Sequence, residues 1–273
     1  MTDLVVRRLL INLEAPFARH WCGGDAFRSA FFNALSMSFP VGEQFFIDSV
    51  RNGLKELPPD QQERFAKEVQ GFIGQEATHR RIHALFNAQL EKQGLVNAWE
   101  GRALKAQKLL DGEDVRHWLA ITAANEHFTA IFAEWLLSHP EWLAGSEPRL
   151  QTMWLWHSAE ESEHKSTAFD LYQALGGNHQ WRLTWMRRIT IVFLGDALRQ
   201  TVLNLKRDGS LWKAKTWTSA AGFLLGKRGL LRFSYGRWRE YKRRDFHPSQ
   251  HESRLSADWL AQNAQQYSVL GSR

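Results

Sequence analysis

The chain has 273 residues, 44% of them hydrophobic and 23% charged, enough for one large domain or for a bundle of about 150 residues with a substantial extension. Cys22 is the single cysteine, which excludes an intramolecular disulfide, argues against a Cys-ligated iron–sulfur cluster and fits a reducing, cytoplasmic setting. The net charge of +6 is unevenly spread: residues 182–254 hold 17 Lys/Arg against 5 Asp/Glu, a local +12 that leaves the remainder at −6. Such segregation predicts an acidic body, residues 1–178, and a basic appendage packed on it, residues 179–273. The appendage suits an anionic substrate, an acidic electron-transfer partner or the inner face of a membrane, with a solvated basic face as the plain alternative.

Seven prolines, abundant helix formers and almost no alternating β-branched runs predict an all-α protein. The opening MTDLVVRRLLINLEAPF lacks the long apolar core and cleavage site of a signal peptide, and is expected to be an ordinary N-terminal segment. Phe39-Pro40 is expected to break the chain before a helix over 41–56, whose apolar face of Phe46, Ile47, Val50 and Leu54 also carries Glu43. Pro58-Pro59-Asp60 then starts a helix over 60–92 that closes at Gln93-Gly94. Its inward stripe of Phe65, Val69, Phe72, Phe86 and Leu90 is interrupted at mid-length by Glu76, His79 and His83. A third helical region, 101–138, is expected to break near Asp111-Gly112. It sets Glu126 among Leu119, Ala123, Ala130 and Ala133, small neighbours that leave room for a substrate.

The fourth helix, 147–175, ends at Gly176-Gly177 and aligns Leu150, Trp154, His157, Glu161, His164, Ala168 and Leu171. Short connections favour an antiparallel bundle. Beyond residue 178 the pattern turns basic and Trp-rich, with helices expected at 179–207, 211–225, 229–243 and 253–267. The apolar runs 189–194 and 220–225 are too short to span a bilayer but suit lying on one; capping the bundle is the plainer role.

Two Glu-x-x-His pairs, Glu76/His79 and Glu161/His164, are each preceded by a lone glutamate in apolar helical sequence, Glu43 and Glu126. Residues three apart share a helix face, so each pair aims a carboxylate and an imidazole at one point, and single glutamates from two other helices complete the cage. One such pair is expected by chance; the ordered set is not. Burying these groups without a compensating cation would be costly. The order resembles the ferritin-like di-iron carboxylate proteins over roughly residues 41–176, which implies a four-helix bundle with additional C-terminal helices. The resemblance carries over Glu43, Glu76, His79, Glu126, Glu161 and His164 as ligands of two Fe ions, with Mn or a mixed Fe/Mn pair as alternatives.

His157-x-x-x-Glu161-x-x-His164 resembles the di-iron arylamine N-oxygenases, which implies His157 as a third imidazole ligand; a hydrogen-bonding role behind the ligands is the alternative. His83 is expected to hydrogen-bond a ligand or substrate rather than to coordinate. Glu160, Glu163 and His127 are expected on other faces, solvated or in interhelical ion pairs, with Asp170 and Tyr172 as weaker candidates for supporting the ligands. The stretches Phe39–Phe46, Gln75–His79 and Trp156–Lys165, together with Phe246-His247-Pro248, also resemble a bacterial family labelled predicted metal-dependent hydrolase.

The di-iron resemblance implies an O2-dependent oxidoreductase acting on an organic small molecule. With no Gly-rich nucleotide loop after a strand and no cysteine set, its electrons are expected from an external donor. The rival is a dinuclear metal-dependent hydrolase, which turns over without O2 and tolerates Zn or Mn. Iron oxidation or storage is a third reading. Nucleic-acid binding by the basic, Trp-rich region finds no recognition motif.

Overall fold

The computed structural model describes residues 4–251 and 254–271, which are all-α apart from one short ribbon. The Asp25 carboxylate accepts from the Arg28 amide and caps helix α1, Ala26–Lys55, far ahead of the expected start at residue 41. The break expected at Phe39-Pro40 does not occur. Proline in a helix lacks the N–H that would bond the carbonyl four residues back. Here that carbonyl, Ser36 O, accepts instead from the Asn87 side-chain amide at 2.9 Å, and Met37 O accepts from Asn97 at 2.8 Å. Donors from outside the helix thus replace the one that Pro40 removes.

Helix α2, Pro59–Lys92, has proline in its first turn, and α3, Ala98–Lys108, is separated from α4, Val115–Ser138, by the expected break, with Gly112 at φ 80°. The fourth expected helix is two: α5, Pro148–His164, and α6, Thr167–Ala174. Lys165 and Ser166 leave the helical pattern, and the Lys165 ammonium donates to the His251 carbonyl at 2.7 Å. Then follow α7, His179–Arg207, α8, Ala214–Leu225, and α9, Leu230–Glu240, close to expectation. The last helix, α10, Arg254–Gln262, is shorter than expected because Tyr267–Val269 is strand β2; residue 253, where it was expected to begin, lies outside the described residues.

Strand β1, Arg7–Leu9, pairs antiparallel with β2, Arg7 opposite Val269 and Leu9 opposite Tyr267. The N-terminal segment is therefore packed into the folded body. It crosses α2 at Gly71 and Gly74, where an added Cβ would lie 2.6 Å from Leu4 Cβ and 2.4 Å from Val6 Cγ2. Only glycine lets the two backbones approach so closely.

Helix α1 packs on α2, α2 on α5, α5 on α4 and α4 on α1, closing a ring of four. Outside it, α7 lies against α1 and α4, α8 against α1, α9 against α4, and α10 against α5. Two apolar clusters fill the interior, one around Phe32, Phe86, Trp154 and Trp156, the other around Phe72, Leu119, Phe169 and Tyr241. Among the described residues, no helix is long and apolar enough to cross a membrane.

Candidate metal centre

Each helix of the ring brings part of one polar cluster to the interior: Glu43 from α1, Glu76 and His79 from α2, Glu126 from α4, and His157, Glu161 and His164 from α5. All seven are buried, at most 3% exposed. Donor atoms of Glu43, His79, His157 and Glu161 lie within 4.8 Å of one another, as do those of Glu76, His79, Glu161 and His164. Glu126 Oε2 lies 3.4 Å from His164 Nε2, beside the second group. Glu161 Oε1 is central, 3.0 Å from His157 Nε2, 3.3 Å from His79 Nδ1 and 3.6 Å from His164 Nε2.

The outer nitrogen of each imidazole is tied to a partner, and those partners set where its proton sits. Gln75 donates its amide to the Val5 carbonyl and to Glu163, so its Oε1 is left to accept from His164 Nδ1 at 2.9 Å. Glu160 Oε2 receives His79 Nε2 at 3.0 Å. Asn87 donates to Ser36 O, so the Ser36 hydroxyl donates to Asn87 Oδ1 and accepts from His83 Nδ1, both at 2.8 Å. Burial and the neighbouring His157 and His79 hold His83 well below the usual imidazole range, hence neutral, so its Nε2 accepts from His157 Nδ1 at 2.7 Å. In neutral His79, His157 and His164 the inward nitrogens therefore carry lone pairs, the form a metal requires.

Facing them are carboxylate oxygens with no protein hydrogen bond: both oxygens of Glu43, Glu76 and Glu126, and Oε2 of Glu161. His79 Nδ1 and His164 Nε2 are likewise without one. Lone pairs and carboxylates crowded together in a dry interior lack only a cation. Without one, protons substitute. Burial, reinforced by Glu76, raises Glu43 well above the carboxylate range, and burial raises Glu126 likewise. Burial would depress His79, yet Glu160 and Glu161 lift it to about 10, and Glu126 with Glu161 lifts His164 well above its usual value. Burial and the neighbouring His79 lower His157 to about 4. Against its own burial, His164, His157 and His79 hold Glu161 well below the carboxylate range.

A family model described as "Predicted metal-dependent hydrolase" matches residues 5–252. The chain belongs to this predicted metal-dependent hydrolase family. Comparison with the curated proteins and with the solved structures finds no significant match. The residues of this hydrolase-family chain fit a metal centre on their own chemistry, since the buried unpartnered oxygens and inward lone pairs form a donor set of hard oxygens and imidazoles.

Other expectations for this family member need revision. Glu160 does not project away from the cluster: it is fully buried, binds His79 and pairs with Arg7 at 3.0 Å. Arg7 also pairs with Glu163 at 2.7 Å, so one guanidinium holds both carboxylates. His83 hydrogen-bonds His157, as expected of it. His127 is buried against Tyr241 and Phe246, with Nε2 on the Arg237 carbonyl at 3.1 Å, in no ion pair among the described residues. Asp170 pairs with His247, and the Tyr172 hydroxyl donates to Asn178 O, so both serve the junction around α6 rather than the ligands.

Arg7, Gln75, Ser36 and Asn87 were missed as supports. Gln75 adjoins Glu76 and carried a local signal; Arg7 lies 153 residues from Glu160 and carried none. Ala130, expected to leave space, lines a water-sized cavity with His127 and Ser162. A larger open groove runs past Glu68, Ser162, Glu163, Lys165 and His247, beside the last turn of α5.

Proposed function

We propose that the interior cluster holds two divalent metal ions through Glu43, Glu76, His79, Glu126, His157, Glu161 and His164, and that the chain is a metal-dependent hydrolase of a small-molecule substrate. The observation that carries the metal reading is the outer network, which ties one nitrogen of each of three imidazoles and turns the other inward toward buried carboxylates whose oxygens mostly lack a hydrogen bond. Membership of the hydrolase family supports the reaction class. Glu161 and His79 belong to both donor groups, so either would be within reach of ions held by each group.

Four carboxylates balance the charge of two divalent cations, which makes a stable pair feasible in a buried site. A bound pair supplies activation of water and stabilisation of developing negative charge. Glu160, His83 and Gln75 hold the imidazoles in register, Arg7 holds Glu160 and Glu163, and the two apolar clusters keep bulk water from the ligands. Substrate would approach from the groove beside Ser162 and Glu163.

A second reading is favoured by the donor set itself. Four carboxylates with three imidazoles suit Fe or Mn, and the ring of four helices supports a ferritin-like O2-dependent oxidoreductase that draws electrons from an external donor. Metal-free protein reloaded with Zn, Mn or Fe under strict anaerobiosis, then offered esters, amides and phosphate esters, separates the two. Hydrolysis without O2 that disappears in Glu161→Gln, with helicity retained, is the expected result. A two-iron protein that consumes O2 and hydrolyses nothing transfers the assignment to the oxidoreductase reading.

A further inference from the structure

We propose that the layer formed by α7, α8 and α9 docks flat on a bilayer surface rich in anionic lipid. All three helices have their inner sides on the same two ring helices, α7 on α1 and α4, α8 on α1, and α9 on α4. Trp238 Nε1 donates to Thr190 Oγ1 at 3.0 Å, tying α9 to α7, and α8 packs on α9. The outer side of this layer is free among the described residues.

That side is apolar where a soluble surface would be polar. Of sixteen large hydrophobic residues exposed among those described, nine fall within residues 191–235. Ile191 and Leu198, two helical turns apart on one face of α7, are 75% and 61% exposed. Trp212, just ahead of α8, is 91% exposed, Leu225 at its end 65%, and Tyr235 on α9 59%. So many exposed large apolar side chains on one layer of helices mark it as a candidate interaction surface.

Charge identifies the occupant. Arg187 and Arg188 lie one turn before Ile191 and Val192, Lys213 follows Trp212 and Lys215 lies in the first turn of α8, and Arg232 and Arg239 flank Tyr235; all six are exposed. The described acidic groups of the same region are already paired, Asp196 with Arg102 and Arg199, Asp208 with His20, Glu240 with His251 and Arg237, and Asp245 with Arg243. Aliphatic and indole side chains ringed by arginine and lysine match the boundary between acyl chains and anionic headgroups. Nucleic acid would use the cations and the indoles, but offers nothing to Ile191, Val192, Leu198 and Leu225. No helix of the layer can cross, so the contact is one of lying on the surface.

The test is flotation of the full-length, metal-loaded protein with vesicles of phosphatidylcholine alone or mixed with phosphatidylglycerol. The protein is expected to float with the mixed vesicles only, and brominated acyl chains are expected to quench its tryptophan emission. R187Q/R188Q should weaken binding about fivefold per arginine removed. I191S/L198S, which keeps every charge, should abolish quenching and weaken binding further, with circular dichroism unchanged. Failure to float, wild-type flotation by I191S/L198S, tighter retention on an RNA or DNA oligonucleotide, or a lipid-free dimer that shields Trp212 would each overturn the proposal. Metal-free protein should float equally well, which keeps this result separate from the fate of the metal reading.

Discussion

At the scale of single residues, the cluster is governed by where protons sit. In the metal-free protein Glu43 and Glu126 are raised by burial, and His79 and His164 are raised by their carboxylate neighbours, so near neutral pH these groups hold protons that bound metal must displace. Raised pKa values mean that protons compete more strongly as pH falls. Affinity is therefore expected to rise with pH through the neutral range, and metal uptake in weakly buffered solution to release more than one proton per chain, read by a pH indicator. The partners behind the imidazoles should matter nearly as much as the ligands. Glu160→Gln, which weakens the acceptor for His79 and the bond to Arg7, is expected to cost about 10–100-fold in metal affinity with little change in helicity. Competitive chelator titration with metal counting checks it; an unchanged affinity would reduce Glu160 to packing.

At the scale of elements, a helix that continues through a proline and a helix that breaks both sit beside the cluster, and the sequence disclosed neither. The helices that carry the buried cluster were legible because Glu-x-x-His spacing and 3.6-residue periodicity are local properties. Passage of α1 through Pro40 was not, because the donor that replaces the missing one at Ser36 O comes from Asn87, 51 residues away. The break after His164 was equally hidden, since the Lys165 side chain is drawn to a carbonyl at residue 251. Asn87→Leu should strand the Ser36 carbonyl and cost about 1–3 kcal/mol in denaturant unfolding of the metal-free protein. In a Pro40→Ala background the helix regains its own donor, so the same substitution should cost less. Equal costs in the two backgrounds would remove Pro40 from the account. Gly74→Ala, whose Cβ would meet Val6 at 2.4 Å, should lift the N-terminal segment from α2 and loosen Arg7. Metal affinity, rather than helix content, is the quantity expected to fall.

At the scale of the whole molecule, metal held by the cluster would stabilise the ring of helices that carries it. Ions that bind the folded chain alone add about 3–4 kcal/mol when present at 100–1,000 times their dissociation constant. Chelation should therefore lower the thermal midpoint, and returning metal should restore it; a midpoint indifferent to chelator would mean that the buried carboxylates are neutralised by protons alone. The charge asymmetry between residues 182–254 and the rest was legible at this scale, because it needs only counting. Which cations face outward beside bare Ile191 and Trp212 was not, because that depends on how α7 to α9 settle on α1 and α4.

The ribbon of β1 and β2 has a consequence in time. Arg7, which steadies Glu160 and Glu163, is seated by pairing with residues some 260 positions later. Helices α1 to α5 can bring the seven inner side chains together before that pairing exists, because their contacts close shorter loops. The ribbon can form only once β2 has been synthesised. During biosynthesis the inner side chains are therefore expected to meet first and Arg7 to be seated last, which would leave an interval for ions to enter before the two distant strands meet.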